Sequence, residues 1–300
     1  MASPRYIMLE DRGIVTVGGE DRRTFLQGLI SNDVTRVDGA RSVYAAFLTA
    51  QGKYLHDFFV AEIGAALALD CERARAADLV RRLKIYRLRS KVGIDDASAD
   101  WAVAALIGEG AADAAGLGGA GPGATGPFQG GVAFVDPRLA EAGLRAILPR
   151  VDAARRLAEA GFAAGGREAY DRHRLELGLA DGSRDMDLER TILLECGFDE
   201  LHGVDWEKGC FLGQELTART KYRALIRKRL IPVAVEGPLP PRGAPILKDG
   251  REVGEMRSGA GDLGLALLRL EALEAGAGDG APFLAGEARL TPRPPSWLKL

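Results

Sequence analysis

The feature that most restricts the fold is a change of pattern near residues 222–226. Downstream, "IRKRLIPVAVEG", "GAPILKDGREVGEMRSGAG" and "LGLALLRLEAL" are short β-like runs broken at Pro, Gly and Asp-Gly. "KDGRE" at 248–252 carries the Asp-Gly pair of a tight hairpin. Such a series has to cover its sheet edges, which points to a small all-β barrel or sandwich. The tail "TPRPPSWLKL" has too many prolines for a central strand and is expected to lie across a surface. A boundary here divides residues 1–222 from residues 223–300.

Upstream, strands and helices alternate. "GIVTVGG" (13–19) reads as a strand and turn, and Phe25, Leu26, Leu29 and Ile30 recur at helical spacing. "YAAFLTAQGKYLHDFFVAEI" (44–63) reads as two strands joined around Gln51-Gly52, and "AALALD" (65–70) as a third. "ERARAADLVRRLK" (72–84) is helical; "KVGIDD", "WAVAALIG", "VAFVDPRL" and "LRAILP" return to strand. Hairpins mixed with helices imply an α+β fold rather than a doubly wound sheet. The glycine-rich segment 108–131 reads as a loop. It lacks a Gly-Lys-Ser/Thr ending and a helix directly after it, so it is not a phosphate cradle.

The chain of 300 residues is 47% hydrophobic and 27% charged, enough apolar material for a sizeable core. A net charge of −2 supplies no global field for nucleic acid or an anionic membrane, and neither partner is expected. The basic runs "RRLKIYRLRSK" (81–91) and "IRKRL" (226–230) read as solvated faces. No apolar run approaches the ~20 residues of a membrane span. Three widely spaced cysteines, Cys71, Cys196 and Cys210, do not form a disulfide scaffold and indicate a reducing compartment. The N-terminus has no charged head followed by a long apolar core. Together these features imply a cytoplasmic protein.

The chemistry concentrates in "EKGCFLGQELTART" (207–220). Lys208 and Arg219 are cations near the Cys210 thiol, and cations favour thiolate. A helix beginning near Phe211 or Leu212 would put Cys210 at its positive end. Glu215 and Arg219 are four apart and so can pair on that helix. The alternative is that Cys210 is a small buried hydrophobe. Cys196 and Cys210, without a second pair, do not make a zinc site, and His56, His173 and His202 are scattered. An iron–sulfur cluster needs about four ligands, so Cys210 could serve only as one ligand of a cluster shared with a partner.

"KGCFLGQE" (208–215) matches the signature of the YgfZ group: Lys-Gly-Cys-aromatic-any-Gly-Gln-Glu. The likeness continues through "LTART" to "IRKRLIPV", where the chain resembles the mitochondrial-type iron–sulfur assembly factors of that group. "FLQGLISNDV" (25–34), "LTAQGKYLHDFFV" (48–60), "RTILLECGFDELHGVDWEKGC" (190–210) and "VGEMRSGAGDLGLALLRL" resemble blocks of the wider superfamily. That superfamily includes the tetrahydrofolate-dependent aminomethyltransferase of glycine cleavage, GcvT.

The resemblance implies a multi-lobed GcvT-like fold around a central folate pocket, with a C-terminal β-barrel. It implies assembly or repair of 4Fe–4S proteins, with tetrahydrofolate or a derivative as ligand. An A-type iron–sulfur carrier and 4Fe–4S client proteins would be the partners, with a transient bridging cluster between carrier and chain. Cys210 is then the functional thiol, Lys208 its activating neighbour and Arg219 its companion. Glu195 falls where the superfamily uses a carboxylate for the pterin, and Asp57 where the aminomethyltransferases keep an aspartate beside the folate nitrogens. Gln214, Glu215, Asn32 and Asp33 complete the implied folate-binding set, although a helix-terminating turn explains Asn32 and Asp33 equally well. The chain has His56-Asp57 where the aminomethyltransferases usually have two acidic residues. A folate-dependent one-carbon or aminomethyl transferase, or a demethylase, is the alternative function, and a folate storage or sensing protein is a third.

Overall fold

The computed structural model describes residues 3–223, 226–274 and 281–299. The expected boundary at 222–226 therefore includes two residues, 224 and 225, outside the described residues. Contacts divide the chain into two units. One comprises Met1–Ala50, Leu55–Arg167 and Leu201–Gln214, and the other Gln51–Tyr54, Glu168–Glu200 and Glu215–Leu300.

The strands of the first unit, in chain order, are β1 (Arg5–Met8), β2 (Arg12–Gly18), β3 (Val43–Leu48), β4 (Tyr54–Ile63), β5 (Ala66–Glu72), β6 (Gly93–Asp96), β7 (Trp101–Ile107), β8 (Thr125–Phe128), β9 (Gly131–Val135), β10 (Leu144–Pro149) and β11 (Ala163–Ala164). They form a five-stranded sheet, β3-β4-β5-β2-β6, and a six-stranded sheet, β11-β1-β7-β10-β9-β8. The helices are α1 (Arg22–Gln27), α2 (Ala76–Tyr86), α3 (Ala111–Ala114) and α4 (Ala153–Glu159).

Strand alternation sorts the side chains of the five-stranded sheet. Val15, Val17, Phe47, Phe58 and Val60 join Phe25, Leu26, Leu79 and Leu83 of α1 and α2 in one apolar cluster. On the other face Phe59 meets Phe134 of the six-stranded sheet, with ring centroids 6.0 Å apart. Charge threads this second contact. Asp70 of β5 accepts from Arg12 Nε at 2.7 Å and from Arg145 Nη1 of β10 at 2.7 Å. The Arg145 guanidinium lies 4.0 Å from the centre of the Phe59 ring. Each buried cation thus has a carboxylate or a ring face to replace water.

The glycine-rich segment 108–131 is not simply a loop: it contains α3, strand β8 and a hairpin into β9. Its alanines hide the reason, because Ala111 and Ala115 are buried in the core of the six-stranded sheet and Leu117 packs against that core.

The second unit holds α5 (Arg167–Glu176, from Glu168 onward), most of α6 (Gln214–Tyr222), β12 (Lys228–Glu236), β13 (Pro245–Lys248), β14 (Arg251–Ala260), β15 (Leu263–Arg269), α7 (Leu270–Glu274), β16 (Phe283–Ala285) and β17 (Ala288–Pro292). Its six strands close into a barrel in the order β12-β15-β14-β13-β16-β17, so of the barrel or sandwich that the turn pattern allowed, the barrel is present. Asp249 and Gly250 have φ of +51° and +73°, as a tight hairpin turn requires. Buried Arg174 ties residues 168–200 to the barrel, binding Asp185 Oδ2 at 3.0 Å and Ser258 Oγ at 2.8 Å. In the proline-rich tail, Trp297 donates its indole N–H to the Leu177 carbonyl at 2.8 Å.

Candidate functional site

The site is built on the end of a short helix. α1 has only six residues, and the carbonyls at and beyond its C-terminus need donors. The segment 203–213 supplies them. Lys208 Nζ donates to the carbonyls of Gln27 at 2.7 Å and Ile30 at 2.6 Å. Leu212 N donates to Gly28 O at 3.1 Å, and Asp205 N to Ser31 O at 3.0 Å. Four carbonyls, of residues 27, 28, 30 and 31, are thus satisfied by one loop. The Lys208 cation also complements the negative end of the helix. Burial pulls the Lys208 ammonium down to about 8, against the pull of Asp33 and Asp205.

Asn32, Asp33 and Asp205 brace this arrangement. Asn32 Nδ2 donates to Tyr44 O at 2.7 Å and His202 O at 2.6 Å. Asp33 Oδ1 accepts from Thr35 N at 2.9 Å, Thr35 Oγ1 at 2.6 Å and Gln27 Nε2 at 2.9 Å. Burial works to raise the Asp33 carboxyl, but these donors outweigh it and hold it below its ordinary value. Asp205 Oδ1 accepts from Glu207 N at 2.8 Å and Lys208 N at 3.1 Å, while its Oδ2 pairs with Arg36 at 3.2 Å.

Cys210 stands exposed on the braced loop, whereas Cys71 and Cys196 are buried. The expected helix start at Phe211 or Leu212 is corrected. α6 begins at Gln214 because Gly213 has φ of +82°, outside the helical region. Cys210 therefore precedes the first helical residue by four positions. Gly209, with φ of +91°, lets the chain turn directly before the thiol. Within the second unit, Glu215 and Arg219 form the i, i+4 pair at 2.9 Å on an exposed helical face. Among the described residues no group of three or more His, Cys, Asp or Glu side chains is arranged to hold a metal ion.

Asp57 lies on the inner face of β4, where its Oδ2 accepts the Tyr44 hydroxyl at 2.9 Å. Burial, with Asp57 adding to it, pushes the Tyr44 phenol well above its ordinary value, so it stays a donor. Arg138 stacks over Tyr44 and Phe59 beside it. His56 points to the opposite face, where its Nε2 is 3.0 Å from Asp78 Oδ2. Adjacent strand residues alternate, so His56 is not a second group beside Asp57. Tyr44 also lines a cavity of about 490 Å3 with Asn32, Arg41, His202 and Trp206. Sequence reasoning passed over Tyr44, Asp205 and Trp206. The last two stand in the quoted "HGVDWEKGC", which was the available signal.

Glu195 sits in the second unit on the single turn Leu193–Cys196. Burial raises its carboxyl above the ordinary value, opposed by Lys228, the Ile192 main chain, Lys53 and Arg257. A half-buried carboxylate can accept two N–H groups from a planar ligand edge.

Comparison with known proteins defines the class. The aminomethyltransferase T of the glycine cleavage system from Bartonella henselae superposes with a TM-score of 0.75 at 18% identity, over 99% of this chain and 87% of that one. That likeness shows a shared α+β, multi-lobed fold. Residues 227–300 match the family model described as the CAF17 C-terminal beta-barrel domain. The iron-sulfur cluster assembly factor IBA57 homolog, mitochondrial, of Aspergillus clavatus is 31% identical over 89% of this chain and 70% of its own. The iron-sulfur cluster assembly factor IBA57, mitochondrial, of Homo sapiens is 33% identical over 89% of this chain and 78% of its own. The chain belongs to this IBA57 family, within the YgfZ and GcvT-related proteins. The cytoplasmic expectation is corrected by the same relatives, which are mitochondrial proteins. Reduced cysteines indicate a reducing compartment and do not single out the cytoplasm.

Proposed function

We propose that this chain is a tetrahydrofolate-binding factor for the assembly or repair of 4Fe–4S proteins, acting through Cys210. The relatives' names support the assembly role, and one observation carries the thiol's part in it. Cys210 is exposed on a loop fixed by four main-chain carbonyls, with no ready-made set of further ligands among the described residues. A cluster needs about four ligands, so a second protein must complete it. An A-type carrier suits that part, and 4Fe–4S clients receive the product. Lys208 positions the thiol by holding its loop, and Gln214, Glu215 and Arg219 shape the chain that follows. Asn32 and Asp33 serve the folate reading indirectly, through the turn they brace.

The chemistry of the Glu195 carboxylate supports the folate reading. Glu195 would hold the aminopyrimidine edge, whose N–H groups replace the water its carboxylate gives up on burial. Within the first unit, Asp57, whose Oδ2 accepts from the Tyr44 hydroxyl, has the carboxylate chemistry that the aminomethyltransferase likeness asks of that position. The test is anaerobic mixing with an A-type carrier, iron and sulfide, followed by visible absorption and complex size. A cluster-dependent complex is expected with the unaltered protein and not with Cys210→Ala. Full rescue of 4Fe–4S enzymes by Cys210→Ala, in cells lacking the protein, would sink this mechanism.

Asp57 and Tyr44 also favour a second reading, a folate-dependent one-carbon or aminomethyl transferase or a demethylase. Formation of methylene-tetrahydrofolate from a small amine, unaffected by Cys210→Ala, would select it.

A further inference from the structure

One surface of the first unit is at odds with a chain built only to stay dissolved. α2 buries Ala76, Leu79 and Leu83, but its end presents Ile85 at 62% exposure, Tyr86 at 39% and, just beyond, Leu88 at 88%. Leu88 also has φ of +42°. The other five non-glycine residues with positive φ among the described residues are all polar. A left-handed backbone disfavours a branched apolar side chain, and nothing in the core is gained by this one. The fold thus spends backbone strain to hold a leucine in water.

The surroundings are basic. Residues 81–91 contain six Lys or Arg and no acid, in a chain whose net charge is −2. Asp78 engages Arg81 and Arg82, and Glu20 engages Lys91. Lys84, Arg87 and Arg89 are exposed and have no ion pair among the described residues. A chain of contacts through the core links the patch to the thiol loop. The Tyr86 ring meets Phe47 edge-on at 6.0 Å, Phe47 bridges to Ile30, and the Ile30 carbonyl accepts from Lys208. Leu212 and α2 pack against the same apolar cluster.

We infer that Ile85, Tyr86 and Leu88, with Lys84, Arg87 and Arg89, form the docking surface for an acidic, apolar-centred segment of the protein that shares Cys210. This rests on the reading proposed above. Three unpaired cations around an apolar knob fit carboxylates around an apolar recess, and opposite charge speeds the encounter as well as fixing its register. A protein is favoured over a membrane because the same helical layer carries the thiol loop, whose cluster chemistry needs protein ligands.

The test titrates the full-length protein with the purified, cluster-free A-type carrier at low and raised salt. Leu88→Asp and the double variant Arg87→Glu/Arg89→Glu should each weaken binding about tenfold or more. Raised salt should weaken the unaltered complex towards the double variant's level. Leu88 is exposed and aspartate tolerates a left-handed backbone better, so the thermal midpoint of Leu88→Asp should not fall and its Cys210 alkylation rate should stay unchanged. If both variants bind the carrier normally while Cys210→Ala still blocks cluster sharing, the docking surface is overturned and the thiol reading stands. If both variants lose binding while Cys210→Ala shares the cluster normally, the thiol reading falls and the surface stands. Absence of carrier binding by the unaltered protein overturns both. Binding to phosphatidylglycerol vesicles that Leu88→Asp abolishes, with carrier affinity untouched, would reassign the patch to a membrane.

Discussion

The Lys208 ammonium lies 2.6 Å from the carbonyl oxygen of Ile30, a residue 178 positions earlier in the chain. Its second bond, to Gln27 O at 2.7 Å, makes it the peg between the thiol loop and the end of α1. Removing the peg strands two carbonyls. Lys208→Met should therefore cost about 1–3 kcal/mol of stability, the range for leaving a buried acceptor unsatisfied. Denaturant midpoints would measure it. Lys208→Arg keeps the charge but not the compact head, and should restore only part of the loss. Stability unchanged in Lys208→Met would mean the peg holds nothing.

Much of this architecture is legible in the residues themselves. The hairpin over 44–63 and the barrel strands follow from short β-prone apolar runs broken at Gln-Gly, Pro and Asp-Gly, which are local signals. The Glu215–Arg219 pair follows from its spacing. The stitching of 27–31 to 205–212 is not local, and no periodicity encodes a lysine reaching two distant carbonyls. The segment 108–131 misleads because alanine burial against β9 and β10 has no signature in composition. The helix start at Gln214 was shifted by one torsion, at Gly213. Arg12 and Arg145 give no hint in sequence that they meet on Asp70.

His56 and Asp78 make a shared contribution to acid sensitivity. Burial, then the nearby Arg75 charge, pulls the His56 imidazole down to about 4. Burial works to raise Asp78, but donors from Arg81, Arg82 and His56 outweigh it and bring it down to about 2. Both groups bind protons more weakly folded than unfolded, so stability is present above their unfolded values and is lost as pH falls. For His56 the loss runs from about 6.5 down to about 4. Its limiting slope is about 1.4 kcal/mol per pH unit for one proton. Stability measured against pH in His56→Gln should lack that slope. Parallel curves for the two proteins would refute the assignment.

The three cysteines should separate cleanly under alkylation. Burial pushes the Cys71 thiol up to about 12, against the influence of Arg12, and Cys196 is buried as well. Iodoacetamide on the native protein at neutral pH should modify Cys210 alone, as read by peptide mass. The other two should react only after unfolding, because burial denies access to both and also holds the Cys71 thiol protonated. Native labelling of Cys196 would show that the turn Leu193–Cys196 opens readily.

Glu195 supplies a test of the folate reading with a sign attached. Its carboxyl is raised in the free protein, first by burial. Two N–H donors from an aminopyrimidine edge favour the ionised form and would pull it back down. Binding should therefore release protons near the upper end of the glutamate range, and affinity should rise as pH increases through that window. Calorimetry of tetrahydrofolate binding in two buffers of different ionisation heat would count the protons. Glu195→Gln can accept at only one oxygen and titrates nothing. It should bind more weakly by about 1–3 kcal/mol and release no proton. Equal affinity and equal proton release in both proteins would move the pterin away from Glu195 and leave the raised carboxyl as a consequence of packing alone.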